Sequence, residues 1–188
     1  GGFEHNLQSL RVVDELEEKY ADFPGLNLTF ETREGILKHC SGRNAAELGE
    51  LGERFLKKQQ PSLEAQLTNL ADEIAYNSHD VDDGLRAELI RIEQLNEVPL
   101  FCMQYQEVKQ RYPDLSQRRT IHEVVRRLIN CQAVDLVKTS NQRLKQVCPA
   151  DLEAVRRQPQ ALIAFSDSMR ELNHELKRFL RTHLYRHY

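Results

Sequence analysis

At 188 residues and 40 % hydrophobic content, the chain is long enough for one globular domain with a real core, with room for a smaller lobe, and disorder is not expected. A net charge of −3 with 29 % charged residues supplies no overall basic field to recruit nucleic acid or an anionic membrane, so any anionic ligand must be met by local charges. There is no apolar run long enough for a membrane span, GGFEHN lacks the regions of a signal peptide, and Cys40, Cys102, Cys131 and Cys148 show no CxxC spacing, so a soluble, cytoplasmic chain with reduced thiols is expected.

In chain order, 3–19 places Leu7, Leu10, Val13 and Leu16 at steps of three, which predicts an amphipathic helix. Pro24 and Gly25 break it, and Leu26, Leu28 and Phe30 alternate over too short a run to be more than an irregular connection. A short helix is expected over 31–39. SGRNAAELGELG, with Gly42, Gly49 and Gly52, reads as a mobile loop or a short, weak helix. Pro61 and Ser62 then open a strong helix with Ser62 as N-cap. Helical patterns follow over 84–96, 100–111, 116–148 with Ser116 as a cap, and from Asp151 to the end. Asp82 and Asp83 read as a cap and first-turn acid of the helix at Gly84. No stretch reads firmly as strand, no repeat is visible, and the fold class expected is all-α. The chain opens without Met and stops within an apolar-periodic run, so a fragment is expected.

The stretch LADEIAYNSHDVDDG, 70–84, crowds five acids, a histidine and a tyrosine onto the helix that Ser62 opens. Taking Asp72 as zero and advancing about 100° per residue, Leu63, Leu67, Leu70 and Ile74 fall between about 160° and 220°, the expected core stripe. Asp72, Tyr76 and Asp80 fall at about 0°, 40° and 80°, away from it. The plain alternative is a solvated face. Against it, the neighbouring positions are Ala65, Thr68 and Asn69, where a wet helix usually carries Lys, Glu and Arg. The ladder offers a carboxylate for a hard cation, an aromatic ring with a hydroxyl, and a second carboxylate able to accept from a ligand hydroxyl.

These residues also resemble a known family. SLEAQLTNLADEIAYNSHDVDDGLRAELI is similar to the final signature of the HD-domain deoxyguanosinetriphosphate triphosphohydrolases, the dGTPase-like dNTP triphosphohydrolases. GGFEHNLQSLRVV and FPGLNLTFETREGILKH resemble the segment before it, and RRLINCQAVDLV and FLRTHLYRHY resemble later helices, in the same order. The resemblance implies an all-α HD-domain architecture, with 1–96 as the C-terminal part of the catalytic domain and 97–188 as a further helical region. It implies hydrolysis of a deoxynucleoside triphosphate at the α-phosphorus, giving the deoxynucleoside and triphosphate. A divalent metal, Mg²⁺ or Mn²⁺, would be held by a His, a His-Asp pair and a distant Asp that corresponds to Asp72. Tyr76 is implied to lie along the deoxyribose and triphosphate, and Asp80 to receive the sugar 3′-hydroxyl. His5 matches a histidine that approaches the triphosphate; its alternative is a capping or buried structural histidine. The other metal ligands and the acid/base pair are expected upstream, so the fragment alone should be inactive, and no catalytic acid or base is expected within it. A homo-oligomer and a nucleotide or single-stranded DNA effector are further implications.

Other features have plainer readings. His79 borders the ladder face and reads either as a phosphate contact or as a helix-surface histidine. Arg118, Arg119, Arg126 and Arg127 could meet phosphates, with a solvated or subunit-interface helix as the alternative. THLYRHY could stack on bases but reads more economically as a core or interface helix. The rival function is a nucleotide-sensing or nucleic-acid-binding protein of the same fold that has lost turnover.

Overall fold

The computed structural model describes residues 4–38 and 40–186. Among them the order is α1 (His5–Arg11), a π-helical turn (Val12–Leu16), α2 (Phe30–Ile36), α3 (Gly42–Glu47), α4 (Glu50–Leu56), α5 (Leu63–Arg86), α6 (Ile92–Leu95), α7 (Pro99–Arg111), α8 (Gln117–Val147), α9 (Leu152–Arg156) and α10 (Asp167–His183). No strand occurs among the described residues, so the fold is all-α, consistent with HD-domain helical architecture. Among the described residues no helix is long and apolar enough to cross a membrane, and the four cysteines form no disulfide. The chain divides into two compact units, 1–69 with 146–162, and 70–145 with 163–188.

In the first unit Leu10, Leu37 and Leu51 form the core, with Leu7, Val13, Phe30, Leu48 and Phe55 packed on it. The first amphipathic run ends earlier than its periodicity predicts. Its last turn widens, Glu17 N–H bonding to Val12 O at 3.0 Å, and Leu16 is left 49 % exposed. The chain then folds back, Gly25 N–H reaching Glu17 O at 2.9 Å and Leu26 N–H reaching Val13 O at 2.8 Å. Gly25 has φ +68°, and a Cβ there would lie 2.3 Å from Asp14 O, so the approach requires glycine. Arg33 closes the loop with a bidentate pair to Asp14 at 2.8 and 2.7 Å.

SGRNAAELGELG is two packed helices, α3 and α4, rather than a loop. Ser41 Oγ caps α3 by accepting from Asn44 N–H at 3.2 Å, and Gly52 lies so close to α3 that a Cβ would be 1.8 Å from Ala45 O. Glu34, 2 % exposed, is held between Arg54 of α4, at 3.4 Å, and Arg156 of α9, at 3.2 Å. His39, the expected end of α2, lies outside the described residues.

In the second unit Val81, Ile90, Leu95, Leu100, Phe101, Val108, Val124, Leu128, Leu176 and Leu180 belong to one core cluster. α5 does not stop at Gly84 for a new helix; it runs on to Arg86, and 84–96 becomes the end of α5, a turn and the short α6. Asp82 and Asp83 are therefore in the last turns of α5, where Asp82 pairs with Arg86 at 3.6 Å, and they cap no helix start. Gly84 admits Ile90 against the helix, its absent Cβ leaving Ile90 Cδ1 only 2.8 Å from that position. The final expected helix is split: α9 ends by Arg156, and α10 restarts after Ser166, whose Oγ accepts from Met169 N–H at 3.2 Å. Pro159, in the intervening segment, explains the break, since proline disfavours helix at the residue before it.

Candidate functional site

α5 starts as its sequence requires. Ser62 Oγ accepts from Ala65 N–H at 3.2 Å, satisfying one of the first-turn donors that the helix itself cannot pair. Beyond residue 69 its buried positions are Ile74, Asn77, Ser78, Val81 and Gly84. These lie between about 120° and 240° on the wheel with Asp72 at zero. Beyond residue 69 the buried stripe has the predicted direction, but of the four leucine and isoleucine positions expected to form it only Ile74 is buried: Leu63 and Leu70 are half-buried, Leu67 is 47 % exposed, and Ala65 and Gln66 are buried in the first turns instead.

Asp72, Tyr76 and His79 are exposed on the side of α5 opposite Ile74 and Val81, and Asp80 is half-buried on the flank of that face. Asp80 is not alone. Tyr185, just past the end of α10, donates its hydroxyl to Asp80 Oδ2, and its ring lies 6.3 Å from that of Tyr76, inclined by 43°. Burial, then the hydrogen bonds with Asp80 and Tyr76, push the Tyr185 phenol well above its ordinary value. With 44 % of the residue exposed, the carboxylate contact is the firmer of these causes. Tyr185 is the site residue that spacing alone missed. In THLYRHY, Leu184 packs on the core cluster as a core helix requires, and Tyr185 in addition reaches Asp80 of the ladder, 105 positions away. His187 and Tyr188 of that stretch lie outside the described residues.

His5 sits at the start of α1 in the first unit, where its side chain is 73 % exposed and its Nδ1 lies 3.8 Å from Glu4 Oε1. It is neither the cap nor buried. Glu4 caps α1, its two oxygens accepting from Asn6 and Leu7 N–H at 3.1 Å each. His5 lines a cavity of about 640 Å³ with Thr32, Lys38, Ser62, Glu64 and Thr68. A histidine and a lysine in one cavity can donate to an anion, with the hydroxyls of Thr32, Ser62 and Thr68 as neutral partners.

Of the paired arginines, the second pair, Arg126 and Arg127, is committed to carboxylates. Arg126 binds Glu123 through Nε at 2.9 Å and Nη2 at 2.6 Å, and Arg127 binds Glu123 at 3.1 Å and Glu107 of α7 at 2.6 Å. The hydrogen bond from Arg126 is the main cause holding Glu123 below the usual carboxylate range. Among the described residues, no three His, Cys, Asp or Glu side chains converge as a metal-holding group. Asp72, an exposed carboxylate, suits a hard divalent cation as one ligand and needs further donors.

An all-helical chain with a carboxylate–tyrosine–carboxylate ladder on one helix is the class that these observations define. No family model matches the chain. It is 62 % identical, over all 188 residues, to a deoxyguanosinetriphosphate triphosphohydrolase-like protein of Bordetella pertussis, covering 49 % of that relative. Proteins of the same name from Ralstonia pickettii and Thiobacillus denitrificans are each 60 % identical over the whole chain, which covers 48 % and 50 % of them. The chain is therefore a homologue, over its whole length, of the proteins named dGTP triphosphohydrolase-like, matching their C-terminal part. It spans about half the length of the curated relatives it matches.

Proposed function

We propose that the protein carrying this chain hydrolyses a deoxynucleoside triphosphate to the deoxynucleoside and triphosphate, with Mg²⁺ or Mn²⁺. The observation that carries this reading is the ladder Asp72, Tyr76, Asp80 with Tyr185 closed over its far end. In it, Asp72 contributes one oxygen to the metal, and Asp80 accepts from the sugar 3′-hydroxyl with the lone pairs that Tyr185 leaves open. Tyr76 and Tyr185 flank the deoxyribose with their rings. His5, when protonated, donates to a triphosphate oxygen. A bound divalent cation supplies neutralisation of charge on the phosphoryl oxygens. Residues 1–96 serve as the C-terminal part of the catalytic domain and 97–188 as an accessory helical region. We further infer a cytoplasmic homo-oligomer, with a nucleotide or single-stranded DNA as possible effector.

The test is incubation of the full-length protein with each dNTP and Mg²⁺ or Mn²⁺, resolving products by anion exchange. Inorganic triphosphate appearing in step with free deoxynucleoside is the expected result. Stepwise loss of phosphate, through diphosphate and monophosphate, would overturn it. Tight dNTP binding without any turnover would instead give the lead to a nucleotide-sensing protein.

A further inference from the structure

Within the second unit, α5 and α10 are joined by a connected set of polar side chains, buried at Asn77 and Asn173 and opening to solvent at Glu73 and Lys177, that the proposed site does not itself use. Asn77 is 3 % exposed and Asn173 2 %. Asn77 Nδ2 donates to Asn173 Oδ1 at 3.1 Å, and Asn173 Nδ2 donates to Glu73 Oε1 at 3.2 Å. Glu73 Oε2 in turn lies 3.1 Å from Lys177 Nζ. The amide of Asn173 thus uses both its accepting and its donating end across the contact.

A leucine pair, matched in heavy-atom count though larger, would fill such a place with no desolvation cost, but apolar contact is non-directional and tolerates small rotations. A buried amide pair tolerates few, because a shifted helix leaves its groups without partners. The location matters as well. Asn77 follows Tyr76 and stands one turn before Asp80. On α10, Asn173 is followed on the buried side by Leu176 and Leu180, both fully buried. Beyond them Leu184 approaches Gly84, its Cδ1 3.2 Å from where a Cβ would stand. Tyr185 comes next, its N–H bonded to Leu180 O at 3.1 Å. Along α5, Asp80 therefore lies between two fixed points, the amide pair at Asn77 and the close approach at Gly84.

We propose that Asn173, through its amide pair with Asn77, is a positioning residue: it sets the rotation of α10 on α5 that delivers the Tyr185 hydroxyl to the Asp80 carboxylate. The consequence for substrate rests on the reading of Asp80 and Tyr185 as sugar-facing groups; the geometric statement does not.

The discriminating variant is the double replacement Asn77→Leu with Asn173→Leu in the full-length protein, since removing both partners together leaves no orphaned amide. Tyrosines labelled at Cζ report the hydrogen bond of each phenol by NMR, with Tyr185 assigned by Tyr185→Phe. The expected result is a folded protein with a cooperative melt, a Tyr185 Cζ resonance moved to the position of a solvent-bonded phenol, and a KM for the dNTP raised roughly tenfold with kcat within about twofold. An unmoved Tyr185 resonance in the folded variant overturns the proposal. If the unaltered protein hydrolyses no dNTP, the triphosphohydrolase reading fails, while the resonance still decides the positioning role. Should the double variant not fold, Asn173→Ser, which leaves room for a water between Asn77 and Glu73, makes the same comparison.

Discussion

Asp72 and Asp80 sit two turns apart on α5, yet their surroundings differ. Asp72 is exposed, whereas Asp80 is half-buried and accepts from Tyr185. In the full-length protein, Asp72→Ala should abolish both hydrolysis and Mn²⁺ binding, read by isothermal titration; retained metal affinity would refute its role as a ligand. Asp80→Ala should raise KM about tenfold or more and leave kcat within a few-fold, as expected for a group that binds sugar rather than reacting phosphorus. Tyr185 adds a pH signature. Its phenol ionises at higher pH in the folded chain than the ordinary 10.0, so its contribution to stability is complete below pH 10 and is lost as pH rises through the folded value. Between pH 10 and that value the unfolded chain is ionised while the folded phenol keeps its proton. The melting-temperature difference between the native protein and Tyr185→Phe should therefore hold steady up to about pH 10 and shrink above it, and a difference that stays constant above pH 10 would deny the raised pKa. At this scale, the shared face of Asp72, Tyr76 and Asp80 was legible because helical spacing fixes it. Tyr185 was not, because its partners lie 105 and more positions away and no local period joins them.

Among the elements, the misread stretch 41–52 shows what period alone leaves out. Three glycines in twelve residues weaken any propensity argument, but Gly52 is there to let α4 touch α3, and Gly49, at φ +57°, turns the chain between them. Gly52→Ala should thus destabilise, the reverse of an exposed helical glycine, whose replacement by alanine gains up to about 1 kcal/mol. Limited proteolysis with cuts appearing between 40 and 60 would report it. The link from Glu34 to Arg54 and Arg156 is equally invisible in sequence, since a glutamate in a seven-residue helix reads as a surface charge and one partner is 122 positions distant. Glu34→Leu leaves the buried Arg54 guanidinium without its carboxylate, while the half-buried Arg156 keeps Glu153 at 3.2 Å; a loss of about 3 kcal/mol is expected by analogy with broken buried ion pairs. Urea unfolding followed by circular dichroism should show the midpoint fall. Ser62, by contrast, was readable as the cap of α5 because capping needs only the residues within one turn.

For the whole molecule, the all-α class followed from 3.6-residue periods along most of the chain, whereas the division into 1–69 with 146–162, and 70–145 with 163–188, depends on contacts that no window of sequence contains. The relatives are about twice as long, and among the described residues no three His, Cys, Asp or Glu side chains gather as a metal group. Asp72 alone offers a cation one or two oxygens, against the six to eight that Ca²⁺ takes or the six of octahedral Mg²⁺. The isolated 188-residue chain should therefore bind Mn²⁺ no better than an ordinary exposed carboxylate and release no triphosphate from any dNTP, while the full-length protein does both. Paramagnetic broadening by Mn²⁺ makes the comparison residue by residue. In the isolated chain, broadening should be weak and shared by many acidic positions. In the full-length protein it should be saturable and centred on Asp72. Saturable broadening at Asp72 in the isolated chain would mean that this half assembles a metal site from its own residues, and the proposal that the remaining ligands lie elsewhere in the longer protein would fall.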